Sequence, residues 1–221
     1  MTNIGNTKRL LTAALGVIFI AGGYALTQEM DKQREEDIIR LTNDVRKQIL
    51  RLSVYGPFDY LRYSIGPAEK GYTITLMGYA SRPVLKSSAE NVVKKIEAVD
   101  SVDNQIELLP TSRMDEDIRL KVYASIYNAT SLARYNPNYG TPIYGSPRSF
   151  RNTIELGISN NPPVGFHPIS IIVKNGDVIL EGVVDNDSDK SVAGMRANQV
   201  SGVFSVTNNL AVLQSAKSKE K

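Results

Sequence analysis

Two kinds of hydrophobic spacing run along the chain, and each occurs twice. The stretch Thr73-Ile74-Thr75-Leu76-Met77 alternates like a half-buried strand and ends at Gly78, and Asp177-Val178-Ile179-Leu180-Glu181 reads as a strand ending at Gly182. About four turns of helical spacing follow each glycine, over 83–98 and 187–202, opened by Pro83 in the first copy and by Asp/Ser chemistry in the second. A closing strand is predicted over 102–109 and again over 206–213. Upstream, Ile38, Leu41, Val45, Ile49 and Leu52 lie on one face of a mixed-charge helix between Glu29 and Leu52, which carries six acids and six bases.

The recurrence is a sequence repeat. Residues 72–109 align without a gap onto 176–213 at an offset of 104, with identities that include Leu76/Leu180, Gly78/Gly182, Lys86/Lys190, Val99/Val203 and Asn104/Asn208. Asn at the same place in both closing strands predicts a shared bulge or a side-chain-to-backbone bond. The preceding helix repeats at another offset, 73, through Asp44-Val45-Arg46 with Ile49 and Asp117-Ile118-Arg119 with Val122. The second copy is therefore 31 residues longer between its helix and its hairpin. Six of the ten prolines lie in that excess, within NPNYGTPIYGSPRSFRNTIELGISNNPPVGFHP at 136–168. Loops above roughly 12–15 residues in compact domains carry function or lack fixed structure. Each copy thus predicts helix, strand, strand, helix, strand.

The N-terminus breaks this pattern. Lys8 and Arg9 precede an uncharged segment whose apolar part, residues 10–26, includes Leu10, Leu11, Leu15, Val17, Ile18, Phe19, Ile20 and Leu26. A membrane-spanning helix needs roughly 20 apolar residues and at least about 17. A secretory signal needs a basic start, an apolar core and a small-x-small cleavage site, for which Gly23-Tyr24-Ala25 is a poor match. Signal peptide and retained anchor both fit residues 1–28, and both place the basic N-terminus in the cytoplasm and export the rest. A charged helical stalk is expected over 29–37, or the helix is simply the first of repeat one. The modules follow over 38–110 and 115–214, with a basic tail over 215–221.

Composition narrows the chemistry. The 221 residues contain no cysteine, no tryptophan and one histidine, which excludes disulfides, thiolate metal sites, a lipoprotein anchor and any centre built on two imidazoles. Net charge is +3 and the pI about 9.0. Setting aside Lys8, Arg9 and the tail leaves 21 bases against 22 acids, so no basic face for nucleic acid stands behind that pI. Asp185-Asn186-Asp187-Ser188-Asp189 opens like a calcium loop, but Lys190 and Arg196 occupy the positions that need Gly and Glu, so the acids read as a helix cap. Asp115-Glu116-Asp117 reads likewise as charge complementing a helix dipole. His167, with no carboxylate or thiolate neighbour in sequence, reads as structural. No catalytic, cofactor-binding or metal residue is assigned. The tyrosines at the insertion (Tyr127, Tyr135, Tyr139, Tyr144) are candidate contact residues, because Tyr offers rigid area with a polar tip. Arg148 and Arg151 could add attraction for anionic phosphate.

The stretches Ile74-Thr75-Leu76-Met77-Gly78, Val178-Ile179-Leu180-Glu181-Gly182, AENVVKKIEAVDSVDNQIELLP, IIVKNGDVILEGVVDN and GVFSVTNNLAVL resemble the BON domain of bacterial envelope proteins. The resemblance covers about 130 residues in two copies, and the Pro/Tyr insertion departs from it. It implies an α+β fold of two consecutive α-β-β-α-β modules, each a three-stranded sheet with helices on one face, with Gly78 and Gly182 as structural signature glycines. An N-terminal hydrophobic helix would precede them. It also implies a non-enzymatic exported protein without cofactor, tethered to the inner membrane or free in the periplasm. Such a protein binds phospholipid or the envelope surface, supports envelope integrity, and has no nucleic-acid partner. The alternative is a single-pass accessory subunit that scaffolds a larger membrane complex through its modules and the insertion.

Overall fold

The computed structural model describes residues 29–30, 32–137 and 165–213. The apolar segment 10–26 and the basic tail lie outside those residues. Among the described helices none is long and apolar enough to cross a membrane, so the expected N-terminal hydrophobic helix gains no support. The chain divides into two units, 1–45 and 46–221. Residues 32–50 are helical (α1); side chains at 32–40 are exposed, while Leu41, Val45 and Ile49 of the predicted apolar face are buried.

The larger unit holds both modules. In the first, β1 (Tyr60–Ala68) pairs antiparallel with β2 (Gly71–Ala80), and α2 (Pro83–Val93) carries the chain back to β3 (Val99–Asn104), parallel to β2. The short β4 (Glu107–Leu108) continues along the same side of β2. Period two buries Ile74, Leu76 and Ala80 on one face of β2, and period four buries Leu85, Ala89 and Val93 on α2. The second module repeats this order after α3 (Arg113–Tyr127) and a 3-10 turn (Thr130–Tyr135). Its strands are β5 (Ile169–Lys174), β6 (Asp177–Val184), β7 (Ser205–Asn208) and β8 (Ala211–Val212), with α4 (Asp187–Asn198) between β6 and β7. Ile169, Ile171, Val173, Val178, Leu180 and Val184 of this sheet share a core with α3 and α4.

Three expectations shift in detail. The helices after the glycines end early, at Val93 and Asn198, and turns take over the remainder. The closing strand of module 1 begins at Val99 and each closing strand breaks in two just past its asparagine, so the sheet has four strands rather than three. The cause of the break is the side chain itself. Asn104 Oδ1 accepts the N–H of Ile106 and its Nδ2 donates to the Lys86 carbonyl; Asn208 does the same with Leu210 and Lys190. The asparagine thus pins each strand to the preceding helix at the cost of one step of the ladder.

Candidate functional site

The two signature glycines sit where the hairpin strands come closest. Gly78 and Gly182 have φ of +110° and +124°, and a Cβ built on either would lie 2.0 Å from a carbonyl oxygen, that of Tyr60 or of Pro168. Any side chain there is barred by both conformation and space. Each glycine also fixes a register mark, because Gly78 stands opposite Leu61 and Gly182 opposite Ile169.

The acidic runs behave as predicted in part. Asn186 Oδ1 accepts the N–H of Asp189 and caps α4. Asp115, though, is buried and does more than complement a dipole. Its carboxylate accepts the N–H groups of Asn175 and Gly176 at 3.0 and 2.8 Å, which tethers the β5–β6 turn to the start of α3. One turn on, Arg119 is buried too and donates to the Val173 carbonyl, so α3 grips that hairpin twice. The readable signal was the Asn-Gly pair after an apolar run, a two-residue turn with both residues at positive φ.

His167 is buried between the rings of Tyr123 and Tyr127, at centroid distances of 5.6 and 5.3 Å. Its Nδ1 lies 2.9 Å from the Gly165 carbonyl and can only donate there, which leaves Nε2 to accept from the Tyr123 hydroxyl at 3.3 Å. Burial lowers its pKa and so favours the neutral ring, against the opposing bond to the Gly165 carbonyl. Tyr127 donates to the Ile169 carbonyl and accepts that residue's N–H, and burial drives its pKa far above the usual phenol range.

Of the tyrosines expected at a contact surface, Tyr127 and Tyr135 are instead interior. Tyr135 is buried because its hydroxyl donates to Asp189 and accepts the N–H of Asp185, while Arg134 lies over its ring and pairs with both aspartates. The insertion therefore leaves the module through a fixed polar clasp on the start of α4. Tyr139, Tyr144, Arg148 and Arg151 lie outside the described residues.

The surface that does bring functional groups together is the joint between the modules. The segment 55–59 leaves module 1 and runs along the outer edge of β5: Tyr55 and Pro57 offer carbonyls to the N–H groups of Gly165 and Ile171. Phe58 enters the core of module 2 and meets Tyr123 edge-on at 6.0 Å. Beside it Asp59, also buried, accepts from Gly56 and from the N–H and hydroxyl of Ser81; burial raises its pKa against those bonds. On the sheet face away from the helices, Ser170 meets the Tyr55 hydroxyl and Lys174 pairs with Glu107, and Ile172 between them is fully buried. The edge strand β5, which would otherwise present open backbone, is covered by the neighbouring module. Sequence reasoning left this joint open; Phe58 and Asp59 precede the region where the repeat was detected.

Among the described residues no group of acids and histidine is placed to hold a metal ion. The fold is thus a pair of β-β-α-β modules, each opened by a helix, whose buried polar groups hold turns, caps and a joint. The BON domain profile matches residues 68–110 and 155–214, so the chain carries two BON segments in tandem. No curated protein sequence matches the chain. Two solved structures of CdsD, a structural protein of the type III secretion system of Chlamydia trachomatis, are similar to it at the level of a loose superposition. Its C-terminal domain matches at 13% identity over 77% of this chain and 96% of that one, with a TM-score of 0.24. The second matches at 12% identity over 82% and 97%, with a TM-score of 0.25.

Proposed function

We propose that this chain is a non-enzymatic envelope protein whose two BON modules act as one binding body at a membrane surface. The observation that carries the reading is the joint. Phe58 in the core of module 2, with Lys174 on Glu107 across the sheets, makes the tandem a docked pair rather than beads on a linker. BON domains are non-catalytic binding domains. Here His167, Asp59 and Asp115 are engaged in hydrogen bonds that hold backbone in place. Export follows from Lys8 and Arg9 ahead of the apolar segment, and the partner is phospholipid or the envelope surface. Flotation of residues 30–221 with anionic and with neutral vesicles at low salt tests the lipid part. Binding to anionic vesicles is expected, and none at low salt would refute it.

A second reading, an accessory subunit of a larger membrane complex, draws support from exposed apolar side chains on module 2. Phe166, Val183 and Leu213 are each at least 43% exposed. Native extraction in mild detergent distinguishes the two readings, since co-migration with larger partners is expected only of the subunit.

A further inference from the structure

The segment that joins the modules has a counterpart in module 2 whose phenylalanine is left exposed. Counted from the residue opposite each signature glycine, Phe58 lies three positions before Leu61 and Phe166 three before Ile169. The register is secure, because the same step carries the carbonyl under each glycine, Tyr60 in one module and Pro168 in the other. Equivalent positions have opposite fates. Phe58 is 4% exposed, seated in the next module along the chain; Phe166 is 49% exposed. The following residues, Asp59 and His167, are both buried, so the backbone in both copies is held to present the phenylalanine.

The rest of the joint repeats in the same way. On the sheet faces away from the helices, module 1 uses Tyr79 and Glu107 around Lys174 of module 2. At the 104-residue offset their equivalents are Val183 and Ala211, which pair in register on the corresponding strands and are both exposed. The receiving side exists in module 1 as well. At the helix offset of 73, Tyr123, which meets Phe58 edge-on, corresponds to Leu50, which is half-buried. Lys174 corresponds to Gly66 on β1, where an added Cβ would come no nearer than 4.0 Å to any atom.

We infer that the Phe166 end of module 2 docks the first module of a second copy of this chain, head to tail, in the arrangement the two modules already adopt within one chain. The contact is heterologous: the surface offered differs from the surface received, so copies add in a row or close into a ring. Its make-up is mixed, since Arg62 and Ser64 of β1 stand where β5 has Ser170 and Ile172, beside small and apolar side chains. Where the internal joint pairs Lys174 with Glu107, the external one would set Gly66 against Ala211, with Phe166 against Leu50. This inference does not depend on lipid binding.

The chain has no cysteine, so single cysteines report the contact. Full-length chains carrying Gly66→Cys and Ala211→Cys, distinguished by tags, are mixed in membranes and treated with a short bis-maleimide. Cross-linking between the two kinds of chain is expected, and F166D on the Ala211→Cys chain should lower its yield roughly tenfold or more, as loss of a buried Phe implies. F166L should retain most of it. Cross-linking of Ala211→Cys chains only to one another would show a two-fold contact and overturn the head-to-tail arrangement. No cross-link at all, or one indifferent to F166D, would overturn the inference. Because Phe166 is exposed in the single chain, an unchanged thermal melt of F166D separates loss of contact from loss of fold.

Discussion

Replacing Phe58 with alanine asks whether the joint is part of the second module's core. The ring is 4% exposed, belongs to the other module's core cluster and meets Tyr123 edge-on. Buried Phe→Ala changes cost about 3–5 kcal/mol, and an edge-on aromatic pair such as Phe58–Tyr123 accounts for about 0.5–1.5 kcal/mol of such a loss. Domain stabilities run at about 5–15 kcal/mol, so roughly a fifth or more of the total is at stake. The matched control is Phe166→Ala. At 49% exposure it should stay within about 0.5 kcal/mol of the parent, although the residue type and the step from the strand are the same. Urea unfolding of residues 30–221, followed by far-UV circular dichroism and by tyrosine fluorescence (free of tryptophan interference in this chain), gives both numbers. In the Phe58 variant the single transition should also broaden or split as the modules lose their coupling. Equal losses in the two variants, or a Phe58 variant as stable as the parent, would refute the docked joint.

Gly182→Ala must place a Cβ against the Pro168 carbonyl at an unfavourable φ, so a loss of at least about 2 kcal/mol is expected in a thermal melt, and Gly78→Ala should match it. Asn208→Ala removes the bond donated to the Lys190 carbonyl of α4 and the one accepted from the N–H of Leu210, for about 1–3 kcal/mol; Asn208→Asp should recover only the bond from Leu210. Burial keeps the folded pKa of His167 below that of the unfolded chain, near 6.5, so its contribution is complete above that pH and is lost as pH falls into the gap between the two values. Urea midpoints should therefore drop between about pH 7 and 5, and His167→Phe should flatten that slope. Asp59, whose pKa burial raises, favours the fold as pH falls, so the difference between parent and His167→Phe is the quantity to read.

What the chain discloses by itself follows its periodicity. Strand, glycine, helix and closing strand were readable in both copies because burial on one face forces alternation on β2 and fourfold spacing on α2. Asn104 and Asn208 were readable because the same side chain recurs at the same step, and the structure gives both the same two bonds. The joint was not readable, for a physical reason. Phe58 and Phe166 are identical as letters, and only the presence of Tyr123 beside one of them makes it interior. Tyr135 failed for a related reason: an aromatic residue near a Pro/Gly/Asn segment has the composition of an exposed contact, and the partners that bury it, Asp185 and Asp189, lie some fifty residues away. Asp115 looked like one of three interchangeable acids, yet it alone reaches the turn at Asn175.

Charge settles how such a body can approach a membrane. The described residues carry 19 Lys and Arg against 20 Asp and Glu, so the pI near 9.0 belongs to the termini and the insertion. Several of the cations are also spent internally: Arg119 on Glu116 and the Val173 carbonyl, Arg134 on Asp185 and Asp189, Lys174 on Glu107. At physiological ionic strength the screening length is about 8 Å, so a nearly neutral, internally paired body feels little pull from an anionic surface beyond direct contact. On the proposed lipid reading, Lys217, Lys219 and Lys221, with Arg148 and Arg151 of the insertion, would supply the salt-dependent part of the attraction, each worth about 1 kcal/mol close to an anionic leaflet. On the proposed head-to-tail contact, the modules would instead use exposed apolar side chains such as Phe166 and Val183, which salt does not weaken. High salt would thus separate the two contributions, releasing the tail from lipid while leaving a head-to-tail contact between chains intact.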